Sequence, residues 1–171
     1  MNSTLSFAAE AMGGALHGAD RSFDGISIDS RSIRKNELFI ALSGPNFDGG
    51  EFVSDAAGKG AAGAVVTTPV GENLSQIEVD DTRIALGRLG AAWRDQHSLK
   101  VVGITGSNGK TTVKELVAAC LSRVGSTLAT EGNFNNDIGM PLMMSRIDQS
   151  HRYAVLEMGA NHLGEIAYLV G

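Results

Sequence analysis

The apolar residues of the first 98 positions alternate between the spacing of a strand and the spacing of a helix. Short apolar or alternating runs predict strands at 26–28, 38–42, 64–66 and 77–79. Apolar residues three or four positions apart predict helices at 5–16, 52–57 and 82–96. The buried faces of the first and last helix are predicted to be Leu5, Ala9, Met12 and Leu16, and Ile84, Leu86, Leu89 and Trp93. The polar run 95–98 follows, and we predict a domain boundary after it.

The second part of the chain begins with a short apolar strand at 101–102 and an amphipathic helix that ends near Gly125. The predicted buried face of this helix comprises Val113, Leu116, Val117, Cys120, Leu121 and Val124. A later strand is predicted at 154–156 and a helix from Gly164 onwards. An open α/β sheet needs several parallel strands with helices on both faces. Because residues 99–171 supply about three strands, we expect a fragment of a longer protein.

A glycine-rich segment joins the strand at 101–102 to the following helix and reads G-I-T-G-S-N-G-K-T-T from Gly103 to Thr112. In such a turn, backbone N–H groups and the helix N-terminus face a phosphate. Lys110 supplies a positive charge, and the Thr111 hydroxyl can bind Mg²⁺. The Walker pattern has a glycine where this chain has Ile104, so an ordinary tight turn is the alternative. The flanking strand and helix favour nucleotide phosphate binding.

The polar loop 130–141 is dense in amide side chains and ends where Pro141 can occupy the first turn of a helix. Asn133, Asn135, Asn136 and Asp137 could line a ligand pocket, or they could serve only as turn residues. The sequence leaves both interpretations open.

Glu157 follows the strand at 154–156. Ligands of open α/β sheets bind at the carboxyl ends of the strands, so this carboxylate is predicted to bind Mg²⁺ beside the glycine-rich turn. A solvated strand end is the alternative. His162 is as consistent with a surface histidine as with a ligand contact.

Composition narrows the function further. The formal net charge of −5 and the pI near 5.3 argue against a nucleic-acid-binding surface. Cys120 is the single cysteine, which excludes a disulfide framework and favours a reducing compartment; we predict that it is buried. The sequence contains neither a secretory signal pattern nor an apolar run long enough to span a bilayer, so we expect a cytoplasmic protein without membrane insertion.

Three stretches resemble the Mur ligases of peptidoglycan synthesis: G-I-T-G-S-N-G-K-T-T-V-K-E from Gly103, G-N-F-N-N-D-I-G-M-P-L from Gly132, and A-V-L-E-M-G-A-N-H-L-G-E-I-A from Ala154. The absence of the Walker glycine is normal in this family and in the related folylpolyglutamate synthases. S-I-D-S-R from Ser27, L-F-I-A-L-S-G from Leu38 and N-F-D-G from Asn46 resemble the uridine-nucleotide-binding domain of Mur ligases, which folylpolyglutamate synthases lack. The resemblance covers nearly the whole chain.

The resemblance implies an α/β fold in two parts. Residues 1–98 would form a small mixed α/β domain that binds a UDP-sugar, and residues 99–171 would begin a mostly parallel-sheet, P-loop domain that binds ATP. The full-length protein would be a bacterial ligase and a monomer, adding D-alanyl-D-alanine to UDP-N-acetylmuramoyl-tripeptide through an acyl phosphate, with ATP and Mg²⁺. The third peptide residue stays open between lysine and diaminopimelate. The fragment alone is expected to be inactive.

The resemblance also implies roles for individual residues. The catalytic residues would be Lys110 and Glu157, and the Mg²⁺ ligands Thr111 and Glu157. The nucleotide would contact Gly106, Ser107, Asn108, Gly109, Lys110, Thr111, Thr112, Asn135 and Asn136. The UDP-sugar would contact Ser30, Arg31, Asn46, Asp48, Gly49 and Asp137, with Arg31 as the diphosphate partner. His162 matches the same family stretch without an assigned role.

Two other functions are compatible with these residues. A different P-loop NTPase or phosphotransferase would be excluded if ATP hydrolysis by the full-length protein required a UDP-sugar. A non-catalytic UDP-sugar-binding module would be favoured by a natural stop codon after Gly171. A reading frame that continues for several hundred residues would favour the ligase.

Overall fold

The computed structural model describes residues 1–44, 48–71, 74–160 and 163–170. The chain divides into two compact units, Met1–Leu89 and Gly90–Gly171. This division falls within the helix Thr82–Asp95, and the boundary predicted after residue 98 stays a prediction. None of the helices in the described part of the chain has the length and apolar character needed to cross a bilayer.

The first unit is built on a five-stranded sheet with strand order β2-β7-β6-β5-β4. Strands β4 to β7 are parallel, β2 is antiparallel to β7, and β1 and β3 form a separate antiparallel pair. The strands are β1 (Ser3–Thr4), β2 (Ala15–His17), β3 (Ser22–Phe23), β4 (Gly25–Ser27), β5 (Glu37–Ile40), β6 (Gly63–Val66) and β7 (Gln76–Glu78). The helices are α1 (Leu5–Met12), α2 (Val53–Gly58), which follows a 3₁₀ turn at Gly49–Phe52, and α3 (Thr82–Asp95).

The centre of this sheet is buried on both faces. Phe39 of β5 and the following Ala41 pack in one apolar cluster with Val53 and Ala56 of α2. Leu38 and Ile40, which point to the opposite face because side chains alternate along a strand, are also fully buried. This double burial is typical of parallel sheets and explains why 38–42 is a continuous apolar run.

The first predicted helix is too long. Helix α1 ends at Met12, because Gly13 adopts the left-handed conformation (φ 70°) and its N–H caps the carbonyls of Ala9 and Glu10. Leu16 therefore lies in strand β2, opposite Ile77, rather than on the helix face.

Helix α3 is close to its predicted range, but one of its predicted core residues is exposed. Leu86 and Leu89 are fully buried and Trp93 is buried, whereas Ile84 is 44% exposed. The Trp93 indole N–H donates a hydrogen bond to the Ile147 carbonyl at 2.9 Å. At about 100° per residue, Ile84 lies on the opposite side of the helix from Leu86, Leu89 and Trp93, so its predicted burial is wrong.

The second unit contains a three-stranded parallel sheet with order β8-β10-β9, as the strand count of the sequence predicts. Its elements are β8 (Lys100–Ile104), α4 (Lys110–Ser122), β9 (Thr127–Ala129), α5 (Gly139–Met144), β10 (Tyr153–Glu157) and α6 (Glu165–Val170). Pro141 lies in the first turn of α5, as predicted. The central strand β10 is buried from Ala154 to Glu157.

The predicted buried face of α4 is wrong. Leu116 is 63% exposed, and Val113, Val124 and Cys120 are exposed as well. The buried residues of the helix are Lys114 and Ala118, on the side that contacts the sheet. The amphipathic spacing identifies a helix correctly, but in this structure the sheet does not cover its apolar face.

The turn after β4 is held by an ion pair between Asp29 and Arg31. The Arg31 Nε and Nη2 groups donate to the two carboxylate oxygens of Asp29 at 2.9 and 2.8 Å, and the Arg31 backbone N–H donates to the same carboxylate at 2.9 Å. The hydrogen bond from the Arg31 side chain, followed by that from its backbone, lowers the pKa of Asp29 to about 2.

Replacing Arg31 by methionine is expected to raise the pKa of Asp29 from about 2 towards its ordinary value of 3.8. Because the pKa of the folded state lies below that of the unfolded state, the ion pair stabilises the fold above about pH 4 and loses this effect as the pH falls towards 2. Carboxyl NMR titration measures the change. Asp148, whose pKa is lowered mainly by Ser150, serves as the internal control. An unchanged Asp29 pKa in Arg31→Met would contradict the assignment.

Gly49 packs against the backbone at the end of β5. A Cβ atom at this position would overlap the Leu42 carbonyl oxygen and lie 2.6 Å from the Ala41 carbonyl carbon. Neither neighbour is a side chain that can rotate away.

Gly49→Ala is therefore expected to lower the free energy of unfolding by about 1–3 kcal/mol. Gly58→Ala is the matched control, because Gly58 ends helix α2 and a Cβ atom added there would meet no other atom within 4 Å. That control should be neutral or stabilising by up to about 1 kcal/mol through helix propensity. Urea unfolding followed by circular dichroism compares the two. Equal free energies of unfolding for Gly49→Ala and the unsubstituted chain would contradict this prediction, because they would show that the backbone shifts to accommodate the added methyl group.

Candidate functional site

The glycine-rich turn has the predicted position between a strand and a helix. It leaves β8 after Ile104 and enters α4 at Lys110, with Ser107 and Asn108 exposed in the turn. Gly109 is the N-cap residue and has a φ of 75°, a left-handed conformation that suits glycine. Helix α4 has no side-chain cap, so its first N–H groups lack the usual side-chain acceptor. This arrangement is the one in which helix N-termini bind anions.

Lys110 folds back over the turn. Its ammonium donates a hydrogen bond to the Gly106 carbonyl at 2.8 Å. The positive charge is thereby held beside the first N–H groups of α4, where it adds to the attraction for a phosphate. Thr111 and Thr112 follow in the first turn of the helix and are exposed.

Glu157 lies at the carboxyl end of β10 and is only 5% exposed. Its Oε2 accepts a hydrogen bond from the Thr111 hydroxyl at 2.9 Å, and its Oε1 accepts one from the Asn135 amide at 3.2 Å. These three side chains are far apart in the sequence and are brought together by α4, β10 and the loop after β9. The interpretation of Glu157 as a solvated strand end is therefore wrong, because the carboxylate is buried and hydrogen-bonded.

The side chains at this point match the ligands that Mg²⁺ prefers. Magnesium binds oxygen and commonly uses one or two carboxylates together with water and substrate phosphates. The Thr111 hydroxyl and the Glu157 carboxylate offer two oxygen ligands next to the phosphate-binding turn. Across the described ranges, no group of three or more His, Cys, Asp or Glu residues could hold a metal ion. The residues present thus fit an ion whose other ligands are phosphate and water.

Two asparagines of the amide-rich loop make different contacts, and ligand binding by the loop stays a prediction. Asn135 reaches Glu157 with its side chain and accepts the Gly159 N–H with its carbonyl at 2.8 Å. Asn136 instead acts as a turn residue, because its Oδ1 accepts the Gly139 N–H at 2.7 Å at the start of α5. Asp137 is half-buried beside it.

The sequence does not predict a role for two buried polar residues, Lys114 of α4 and Thr130 at the start of the loop. The Lys114 ammonium donates to the Thr130 carbonyl at 2.7 Å, and the Thr130 hydroxyl accepts the Glu157 N–H at 2.9 Å. Lysine side chains are normally exposed, so the sequence contains no indication that Lys114 is buried. Its one distinguishing feature is its position one helical turn after Lys110.

In the first unit, Lys59 holds the turn that carries Ser30 and Arg31. Its ammonium donates to both of their carbonyls at 2.7 Å. Ser30 is buried and Arg31 is exposed. The Arg31 guanidinium is already paired with Asp29, which lowers the positive charge that an incoming diphosphate would meet. The sequence does not single out Lys59, because a single lysine at the end of a short helix carries no distinguishing pattern.

Asp48 and Gly49 form the start of the 3₁₀ turn before α2. Asp48 caps this turn, with its Oδ1 accepting the Gly50 N–H at 2.9 Å and the Ser43 hydroxyl at 2.8 Å. Both hydrogen bonds lower the pKa of Asp48, the one from Gly50 most.

A cavity of about 750 Å³ opens beside Asp48, past the ends of β5 and β6. Its polar lining includes Glu51, Ser54, Thr67 and Thr68, and the described residues that line it include neither lysine nor arginine. Ser30 and Arg31 are not among the lining residues either. Of the predicted UDP-sugar contacts, Asp48 thus lines this cavity, whereas Asn46, like His162, lies outside the described residues.

Two family models match the chain over most of its length. The Mur ligase middle domain matches residues 104–171, and the Mur ligase family catalytic domain matches residues 22–94. The glycine-rich turn, the amide loop and Glu157 all fall in the first of these matches, and Ser30, Arg31, Asp48 and Gly49 fall in the second.

Individual proteins show the same similarity. The UDP-N-acetylmuramoyl-tripeptide–D-alanyl-D-alanine ligase of Escherichia coli is 46% identical over 98% of this chain and 37% of its own length. The ligase of that name from Bacillus subtilis is 42% identical over 85% of this chain and 32% of its own length. The chain thus spans about a third of the length of these relatives.

Solved structures match in three dimensions. A crystal structure of MurF from Acinetobacter baumannii superposes with a TM-score of 0.94 at 41% identity, covering 99% of this chain and 38% of that one. MurF ligase from Thermotoga maritima in complex with ADP has a TM-score of 0.78 at 32% identity, covering 85% of this chain and 34% of that one. With both family models, these relatives and the folded structure in agreement, the chain belongs to the Mur ligase family.

Proposed function

We propose that the full-length protein is an ATP-dependent ligase that joins D-alanyl-D-alanine to UDP-N-acetylmuramoyl-tripeptide in bacterial peptidoglycan synthesis. The relatives named for this reaction, at 42–46% identity, support the substrates. The proposed cofactors are ATP and Mg²⁺, and the proposed location is the cytoplasm. The present chain supplies the ligase's first unit and the start of its nucleotide-binding domain.

The observation that supports this function most strongly is the contact between Thr111 and Glu157. It sets a hydroxyl and a buried carboxylate beside the phosphate-binding turn, at the carboxyl end of a parallel sheet. Ligands of open α/β sheets bind at this edge.

The chemical task is to make a carboxylate reactive. A peptide carboxylate is a poor electrophile, so one of its oxygens attacks the γ-phosphorus of ATP, the bond to the β-phosphate oxygen breaks, and ADP leaves. Both reactants are anions, and the site must neutralise them. Lys110 and the N–H groups at the start of α4 would hold the phosphates, while Thr111 and Glu157 would hold Mg²⁺, which supplies further positive charge.

The second step forms the amide. The amino group of D-alanyl-D-alanine attacks the acyl carbon, phosphate leaves with the bonding electron pair, and the amine loses a proton. Asn135, which is hydrogen-bonded to Glu157 and Gly159, would orient groups near the transferred phosphate. In the first unit, Ser30, Arg31, Asp48 and Gly49 are proposed to hold the UDP-sugar end of the substrate.

The direct test uses the full-length protein with its two substrates. Steady-state ADP release should require both UDP-N-acetylmuramoyl-tripeptide and D-alanyl-D-alanine, and mass spectrometry should detect the pentapeptide product. ATP hydrolysis that is independent of the UDP-sugar would indicate a different P-loop NTPase instead.

Lys110→Ala is expected to lower kcat/KM roughly 10²–10³-fold, because it removes a charge that stabilises the transferring phosphate in a desolvated site. Circular dichroism should show an intact fold. Lys100→Ala, which removes an exposed lysine at the start of β8, is the matched control and should retain activity. Near-normal turnover of Lys110→Ala would refute the assigned role.

Glu157→Gln keeps the shape of the side chain and removes its charge. The Mg²⁺ concentration for half-maximal rate is expected to rise about tenfold or more, and kcat to fall with it. Glu115→Gln removes an exposed carboxylate of α4 and should leave the Mg²⁺ dependence unchanged. If Glu157→Gln behaves like this control, Glu157 does not bind the metal.

A further inference from the structure

Lys114 is a lysine whose side chain is buried in the second unit, only 4% exposed, on the face of α4 that contacts the sheet. Its ammonium donates to the Thr130 carbonyl at 2.7 Å and forms an ion pair with the Glu115 carboxylate at 2.6 Å. Glu115 is largely exposed, so this ion pair contributes little. The hydrogen bond from Lys114 to the Thr130 carbonyl is the contact that is buried.

Thr130 connects three elements. It is 1% exposed and follows β9. Its carbonyl accepts Lys114, its N–H donates to the Val155 carbonyl at 3.0 Å, and its hydroxyl accepts the Glu157 N–H at 2.9 Å. Movement of Thr130 would therefore move the backbone of Glu157.

The neighbouring amide, just after β10, has a different partner. The Met158 N–H donates to the Ile104 carbonyl of β8 at 2.8 Å. The Glu157 N–H thus reports on Thr130, and the Met158 N–H reports on β8. Comparing the hydrogen-exchange rates of these two adjacent amides therefore distinguishes a local change at Thr130 from a general loss of stability.

A buried ammonium is costly unless its hydrogen bonds are satisfied, and an aliphatic side chain would fill the same space at lower cost. In Lys114 the charge is directed at one backbone carbonyl of a polar loop. The same loop is held on its other side by Arg146, which pairs with Glu131 at 2.6 Å and lies over the Phe134 ring. The first half of the loop is also hydrogen-bonded to β10 and the residues that follow it, at Thr130 and at Asn135.

We propose that Lys114 is a positioning residue of the metal–nucleotide site: it holds Thr130, and through Thr130 it fixes the backbone of Glu157 so that the carboxylate faces Thr111. The assignment of Glu157 and Thr111 to Mg²⁺ rests on the proposed function. Lys114 itself touches neither the nucleotide nor the metal in this scheme.

The first test is amide hydrogen exchange by NMR on the 171-residue chain. In Lys114→Met, exchange of the Glu157 N–H should accelerate about five- to tenfold relative to that of Met158. Thr130→Val deletes the hydroxyl acceptor but keeps the carbonyl. It should likewise accelerate exchange of the Glu157 N–H relative to that of Met158. The double variant should add little to Thr130→Val, because both substitutions act on one hydrogen-bonded path.

The second test is the Mg²⁺ dependence of the full-length protein. Lys114→Met should raise the half-saturating Mg²⁺ concentration about tenfold, as loss of a residue that supports a metal ligand does. The KM for the UDP-sugar should stay unchanged. Glu115→Gln, which removes the ion pair but leaves the contact to Thr130, is the matched control and should behave like the unsubstituted protein. If Lys114→Met does not fold, Lys114→Leu, which also removes the donor to Thr130, replaces it in both tests.

Equal acceleration of the Glu157 and Met158 amides in a folded variant would overturn the proposal, because it would show that Lys114 contributes only to general stability. An unchanged Mg²⁺ dependence would overturn it as well. Failure of the unsubstituted full-length protein to form the amide product would instead refute the ligase function. In that case the exchange ratio, which needs no substrate, still decides whether Lys114 holds Thr130 and Glu157.

Discussion

The hydrogen bond between the Thr111 hydroxyl and the Glu157 carboxylate is the contact on which the candidate site depends. It joins the first turn of α4 to the carboxyl end of β10 at 2.9 Å. Because β8 and β10 are parallel, the turn that leaves β8 and the residue that ends β10 emerge at the same edge of the sheet. The glycine-rich turn and the carboxylate are thus neighbours as a consequence of strand direction.

Keeping a carboxylate buried at this edge requires a surrounding set of donors. The Glu157 carboxylate accepts hydrogen bonds from Thr111 and Asn135. Its backbone N–H donates to the Thr130 hydroxyl, and the Thr130 carbonyl accepts a hydrogen bond from Lys114. Among the described residues, no buried side-chain nitrogen or oxygen lacks a hydrogen-bond partner. A polar network in which every buried group has a hydrogen-bond partner favours one arrangement of its side chains. Such rigidity suits a site that holds groups of opposite charge at fixed positions.

The first unit presents a different electrostatic environment. Arg31 is paired with Asp29, and the polar side chains among the described residues that line the cavity beside Asp48 are carboxylates and hydroxyls. A diphosphate would be repelled by that lining, whereas neutral hydroxyl or amide groups of a sugar or base could hydrogen-bond to it. The cavity and the Arg31 turn therefore differ in chemistry: the cavity offers carboxylates and hydroxyls, and the turn offers a guanidinium paired with a carboxylate.

The sequence by itself determined many of the longer elements and the glycine-rich turn between β8 and α4, because hydrophobic spacing and glycine placement act locally. It identified β5, β6 and β10 closely, and it singled out Lys110, Thr111 and Glu157. It did not determine which face of α4 is buried, where α1 stops, or that Asn135 and Asn136 have different tasks. Those outcomes depend on what lies across the sheet or the turn. The buried position of Lys114 was likewise decided by tertiary structure, since only the approach of Thr130 gives its charge a buried partner.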